Sequence, residues 1–230
     1  MVPCVPSQPA PYPGASPYLG VHANRENNDV VDCESGSAFV VAWHALEGMG
    51  ISQPNSFSPD GSATYVASFN ADPMGCTVWA LRTEDGGELW CRSIPAAGGS
   101  AVEVDADGNL YVTGERWVIS LAPDGTERWR AEVGSSMGGD FGDGPLGVHF
   151  TPGGHVATVT NAGVVHLLSR ADGSSLATLD IAATWGFVPP ASLELGGSLR
   201  DLLPDEVVGD LDAVFGAGAS GDGLGAFLGA

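Results

Sequence analysis

Two dipeptide landmarks recur in fixed order through the middle of this chain, and their spacing limits the folds open to it more than any other feature. Asp60-Gly61 precedes SATYVAS, Asp107-Gly108 precedes NLYVT, and Gly153-Gly154 precedes HVATVT, so the starts lie 47 and 46 positions apart. A second landmark follows in each unit: Asp85-Gly86, Asp124-Gly125 and Asp172-Gly173. A period in the forties belongs to arrays in which one supersecondary unit is stacked on the next.

The segments between landmarks decide what each unit is made of. ATYVASF (63–69), TVWAL (77–81), LYVT (110–113), WVISL (117–121), HVATVT (155–160) and VVHLL (164–168) are short and rich in Val, Tyr, Trp and Thr. Turn residues bound them and helical periodicity is nearly absent, so they read as strands. Each Asp-Gly supplies the positive-φ residue that a tight hairpin needs. Four strands fit in each unit; in the middle one they fall at 101–105, 109–113, 116–121 and 127–132. The expected fold is all-β: propeller blades of four antiparallel strands over 54–94, 101–133 and 147–181, with a partial unit near 38–45.

Composition narrows the function classes. Apolar residues make up 43% and charged residues 16%, enough to bury a core. Eight arginines, no lysine and 28 acids give a net charge of −20, which repels phosphate backbones and anionic headgroups. Nucleic-acid binding is therefore not expected. No run reaches the roughly 18 apolar residues of a membrane span. The opening MVPCVPSQPAPYPGASPYLG lacks the basic and apolar regions of a secretory signal, so the sequence itself names no compartment. Residues 1–21 read as a Pro-rich lead-in, and 189–230 as an acidic, Gly-rich tail with a short amphipathic helix interrupted at Pro204.

None of the cysteines, at 4, 33, 76 and 91, forms a CxxC pair, which argues against zinc and thioredoxin-like chemistry. Cys76 and Cys91 lie on strands that the turn between them folds together. They form either a disulfide, given an extracytoplasmic location, or two buried thiols.

ALRTEDGGELW (80–90) resembles the tryptophan-docking repeat of pyrroloquinoline-quinone-type (PQQ-type) β-propellers, written A-x-D-x-x-T-G-x-x-x-W. Ala80, Gly86 and Trp90 match, Arg82 stands where Asp is usual, and Asp85 replaces Thr. SLAPDGTERW (120–129) is one residue shorter and keeps Gly125 and Trp129; LLSRADGSSLA (167–177) keeps Gly173 but has Ala177 at the Trp position. HANRENNDVVD and WHALEG are similar to the entry segment of such proteins, so the resemblance spans about residues 22 to 188. It implies that Trp90 and Trp129 pack against neighbouring blades, with Gly86, Gly125 and Gly173 leaving room. It also implies a setting in the cell envelope or outside the cell. Propellers close with about four to eight blades, so further blades outside this chain, or self-association, are needed to complete the ring.

Several residues invite a chemical reading. VDADGNLYV (104–112) has acids at alternate positions, but Gly108 comes fourth and no acid closes the cage at the twelfth place, so a hairpin turn is expected. SSMGGDFGDGPLG (135–147) is the longest irregular stretch between strands; Asp140 and Asp143 on it are candidates for a metal or a polar ligand, against a plain solvated linker. His149, His155 and His166 fall within one blade; His155 and His166 could face each other across a hairpin and, joined by a carboxylate, ligate a metal, against the commoner reading of half-buried strand histidines. There is no G-x-S-x-G elbow and no phosphate-binding GxxxxGK[ST]. The family's dehydrogenases carry an adjacent Cys-Cys pair, a calcium cage and an Asp base, and no position here matches them.

These features lead to a non-catalytic binding or scaffolding propeller whose ligand, protein or small molecule, is unknown. No cofactor is evident. The alternative is a fragment of a quinoprotein oxidoreductase with PQQ and calcium held outside this chain.

Overall fold

The computed structural model describes residues 41–51, 53, 55–72, 74–95, 97, 100–134 and 143–185. The predicted lead-in, the helix near Pro204, and Asp140 lie outside these residues. Two units are distinguished, 1–179 and 180–230.

The first unit is built from three sheets of four antiparallel strands in sequence order. Blade 1 contains β1 (Ser56–Phe57), β2 (Ala63–Ala67), β3 (Val78–Arg82) and β4 (Glu88–Arg92). Blade 2 contains β5 (Glu103–Val104), β6 (Leu110–Thr113), β7 (Trp117–Leu121) and β8 (Glu127–Glu132). Blade 3 contains β9 (His149–Phe150), β10 (Val156–Val159), β11 (Val164–Leu168) and β12 (Ser175–Asp180). The expected all-β architecture is present, and the three described blades do not close a ring. The only helix among the described residues is α1 (Ile181–Trp185), which the sequence reading did not anticipate. It starts where the Asp180 carboxylate accepts a hydrogen bond from the Ala183 N–H at 2.8 Å, an acidic N-cap. No helix among the described residues is long and apolar enough to cross a membrane.

The landmarks do the same local work in each blade. Gly61, Gly108 and Gly154 donate N–H bonds of 2.9 Å to the carbonyls of Ser58, Asp105 and Thr151, closing the β1–β2 turn and its equivalents. Their φ angles of 72 to 80° suit a residue without a Cβ. In the second landmark of each blade, the bond runs from Gly86 to Arg82 and from Gly173 to Ser169, but from Gly125 to Ala122. The middle turn is thus one residue shorter, as its sequence indicates.

Alternation along the strands gives each sheet two apolar faces. Leu110, Val112, Ile119 and Leu121 pack with Tyr65, Val78 and Ala80 of blade 1. From the opposite face of blade 2, Tyr111, Val118 and Trp129 pack with Phe150, Val156 and Leu168 of blade 3. The outer face of blade 1 is closed by Ala45, Leu46 and Met49 over Val66, Trp79 and Leu81. Ala45 belongs to the expected partial unit near 38–45 and Leu46 and Met49 follow it, but the described residues 41–51 form no strand.

Candidate functional site

The side chains with the most chemical potential sit where one blade meets the next. Three tryptophans do the same thing at successive positions. The Trp43 ring covers Gly86, the Trp90 ring covers Gly125, and the Trp129 ring covers Gly173. A Cβ on these glycines would come within 2.6, 2.8 and 2.5 Å of the indole carbons, distances no real Cβ tolerates. Each indole N–H then donates to the turn it covers: Trp43 to the Thr83 carbonyl at 2.8 Å, Trp90 to Pro123 at 2.8 Å, and Trp129 to Arg170 at 3.1 Å. Flat burial with a satisfied N–H is what a large aromatic needs to fasten two sheets. Trp43 was not singled out from the sequence. It stands 47 positions before Trp90, within the repeat period, and that spacing was the signal.

Each joint carries further contacts. Between blades 1 and 2, Arg92 Nε donates to the Gly125 carbonyl at 2.7 Å and the Ser56 hydroxyl donates to the Val102 carbonyl. Between blades 2 and 3 the contact is ionic. Asp105, fully buried, accepts from Arg170 at 2.8 Å across the joint. Within blade 2 its carboxylate also accepts from the Tyr111 hydroxyl at 2.8 Å, from the N–H groups of Asp107 and Asn109 at 2.9 Å, and from the Asn109 amide. Burial, followed by the Asp105 charge, pushes the Tyr111 hydroxyl up to about 12. Arg128 reaches both Tyr111, at 3.3 Å, and Ser120, at 2.8 Å. The alternating acids of 104–112 therefore build a turn and an inter-blade hub, in line with the hairpin expected of them.

The exposed turn aspartates play a smaller part. Hydrogen bonds from Ser58 and Ser62 hold Asp60 at about 2, Thr126 lowers Asp124, and Ser169 and Ser174 lower Asp172.

His155 sits beside the β9–β10 turn, at the landmark end, whereas Asp143, Cys76 and Cys91 fall toward the opposite end of the sheets, where the β2–β3 loop, its equivalents and the blade connections lie. There Asp143 accepts a hydrogen bond of 3.0 Å from Ala162 N–H and so caps the β10–β11 turn. Its charge also acts on His166, opposing the burial that lowers that imidazole. His155 and His166 do not meet. His166 is paired with Thr158, and His155 lies three residues earlier, so alternation puts the two imidazoles on opposite faces. Cys76 and Cys91 have Cα atoms 5.7 Å apart and are joined as a disulfide.

One buried acid has no place in these networks. Glu103 begins β5 and is 3% exposed; its Oε2 finds no hydrogen-bond partner, and burial pushes its carboxyl well above the ordinary range. His149 Nδ1, at the start of β9, stands 4.0 Å from the other oxygen.

No group of three or more His, Cys, Asp or Glu placed to hold a metal ion occurs among the described residues. An all-oxygen calcium cage takes six to eight ligands, and Asp105, the first of the alternating acids of 104–112, already accepts from five donors.

No protein-family model and no curated protein matches the chain. Solved structures do. A quinohemoprotein alcohol dehydrogenase, ADHIIG from Pseudomonas putida HK5, is similar at 13% identity and a TM-score of 0.51, over 71% of this chain and 26% of the other. BamB from Moraxella catarrhalis aligns at 18% identity and a TM-score of 0.42, over 60% of this chain and 39% of the other. This chain thus spans well under half the length of either. The fold is that of the PQQ-like β-propellers, present as three blades of an incomplete ring.

Proposed function

We propose that this chain is a binding or scaffolding segment of a β-propeller and not a catalytic one, working in an oxidising compartment of the cell envelope or beyond it. One observation carries the reading: the buried polar and aromatic side chains at the joints are engaged in holding blades together. Asp105, Tyr111, Arg128 and Arg170 form one network across a joint, and the tryptophans fill sockets in the next blade. The Cys76–Cys91 bridge supports the choice of compartment. Partners, protein or small molecule, would meet the loop end that carries Asp143, and the blades missing from the ring would come from further sequence or from association.

The test is oxidation of alcohols and sugars by the purified chain with PQQ, calcium ions and an electron-acceptor dye. No turnover above a heat-denatured control is expected. Appreciable dye reduction that follows substrate concentration would replace this reading with the oxidoreductase one.

A further inference from the structure

The innermost strands β1, β5 and β9 open on equivalent residues, Ser56, Glu103 and His149, each paired with the second strand of its blade at Tyr65, Tyr111 and Ala157. At the joint between blades 1 and 2, Ser56 reaches across with an uncharged hydroxyl. At the joint between blades 2 and 3 the same position holds a carboxyl that is 3% exposed and whose Oε2 is unpartnered. The two joints therefore differ in a group that is able to take up charge.

The groups around Glu103 do little for a charge placed there. On β6 the Tyr111 hydroxyl donates to Asp105 at 2.8 Å. Arg128, on β8, is engaged by that hydroxyl and by Ser120. From blade 3, Arg170 donates to Asp105 at 2.8 Å and stands 3.7 Å from Asp107. Asp105 itself, two residues along the chain, is a further negative charge. β1 carries no ionisable side chain. His149 on β9 stands 4.0 Å from Oε1, beyond hydrogen-bonding reach. Its side chain is 39% exposed, so solvent weakens its attraction for a carboxylate. A buried carboxylate left in this state is far more costly than the neutral acid.

We infer that Glu103 is a pH-sensitive latch between blades 2 and 3: as a neutral acid it lets the two faces close, and on losing its proton to water it loosens blade 3. Burial raises this carboxyl well above 4.5 in the folded chain, which therefore binds the proton more tightly than the unfolded chain does. The latch contributes in full below 4.5, and its contribution is lost as pH rises toward the folded value. The joint at Ser56 has no such dependence.

The test is urea unfolding of the full chain carrying H166Q, which removes the other titrating group of blade 3. Above 4.5 the unfolding constant should rise by up to about tenfold per pH unit, the slope of one proton. E103Q, a neutral isostere, should match the parent near 4.5 and lose that slope, whereas H149Q should keep it. Hydrogen exchange, corrected for its intrinsic rise with pH, should show β10 and β11 losing protection before β2 and β3. The parent alone supplies a further readout should E103Q fail to fold. Exposed carboxyls are ionised by about pH 6, so the infrared carbonyl band of a protonated carboxylic acid should persist there and fade as stability falls. An E103Q protein with the parent slope, a flat H149Q protein, equal loss of protection in blades 1 and 3, or no such band would overturn the latch.

Discussion

The two joints of the described ring share one device and differ in a second. Both set an indole over a glycine and tie its N–H to the turn beneath. Beyond that, the joint between blades 1 and 2 adds hydrogen bonds to backbone carbonyls from Arg92 and Ser56. The joint between blades 2 and 3 adds a fully buried carboxylate and the arginine that reaches it from the next blade. The repeat does not supply this second device: Ser58 and Thr151 stand where blade 2 has Asp105. The shared device fixes spacing and is tolerant, because a bond to a backbone carbonyl carries no net charge. The ionic one makes a particular pair of blades mutually dependent, because a buried charge without its partner is expensive.

The tryptophans give the largest expected effects. W129A removes an indole only 8% exposed and should cost about 3–5 kcal/mol in urea denaturation of the full chain. W90A removes a half-buried ring and should cost about 2 kcal/mol. Equal losses would mean that the deeper burial of Trp129 adds nothing and that the two rings fasten their joints alike.

The arginines sharpen the same contrast. R170M leaves Asp105 buried with no cation, held by Tyr111, Asn109 and the Asp107 N–H. Breaking a buried pair costs about 3–5 kcal/mol, but Arg170 is 32% exposed on its side chain and solvent moderates the loss, so about 2 kcal/mol is expected. R92M at the other joint removes one hydrogen bond and should cost about 1 kcal/mol. Comparing the two urea midpoints decides the matter.

Much of this was legible in advance, for a physical reason. Turns that need a positive φ and strands that need alternation leave marks at fixed spacing, so the three sheets, the hairpin at Asp107-Gly108 and the shortened Gly125 turn follow from the residues alone. The joints were half legible. Gly86, Gly125 and Gly173 mark sockets, but which ring fills each depends on the neighbouring blade, and Trp43 lies ahead of the three complete units, where the repeat motif was not matched. Asp105 and Arg170 lie 65 residues apart, and no local rule links two such positions. The His155–His166 pairing failed on register: one residue of offset moves a side chain to the other face of the sheet.

Blade 3 offers the next test. On its second face Ala157, Val159, Val165 and Leu167 are only half-buried and β12 is exposed throughout, whereas blade 2 is covered on both sides. Ala177 occupies the position that holds a docked Trp in the first two blades. A177W should therefore change stability by no more than about 0.5 kcal/mol. A larger gain that depends on protein concentration would show blades of separate molecules joining through that ring.

The smallest effect is a pH dependence of the same blade. Burial lowers His166 below its ordinary 6.5, with Asp143 pulling the other way. Because the folded form binds its proton less readily than the unfolded chain, the contribution of the neutral imidazole is complete above pH 6.5 and declines as pH falls below it. H166Q should flatten the decline in melting temperature just below pH 6.5 while leaving the value at pH 8 nearly unchanged. D143N should steepen it, since removing the carboxylate leaves only the effect of burial. The exposed turn aspartates act in a separate range: their contribution is present above 3.8 and fades as pH falls toward the value near 2 at which Asp60 is held. An H166Q protein with the parent slope would assign the acid lability of blade 3 to another group, and identical slopes for D143N and parent would mean that Asp143 serves the turn at Ala162 and nothing more.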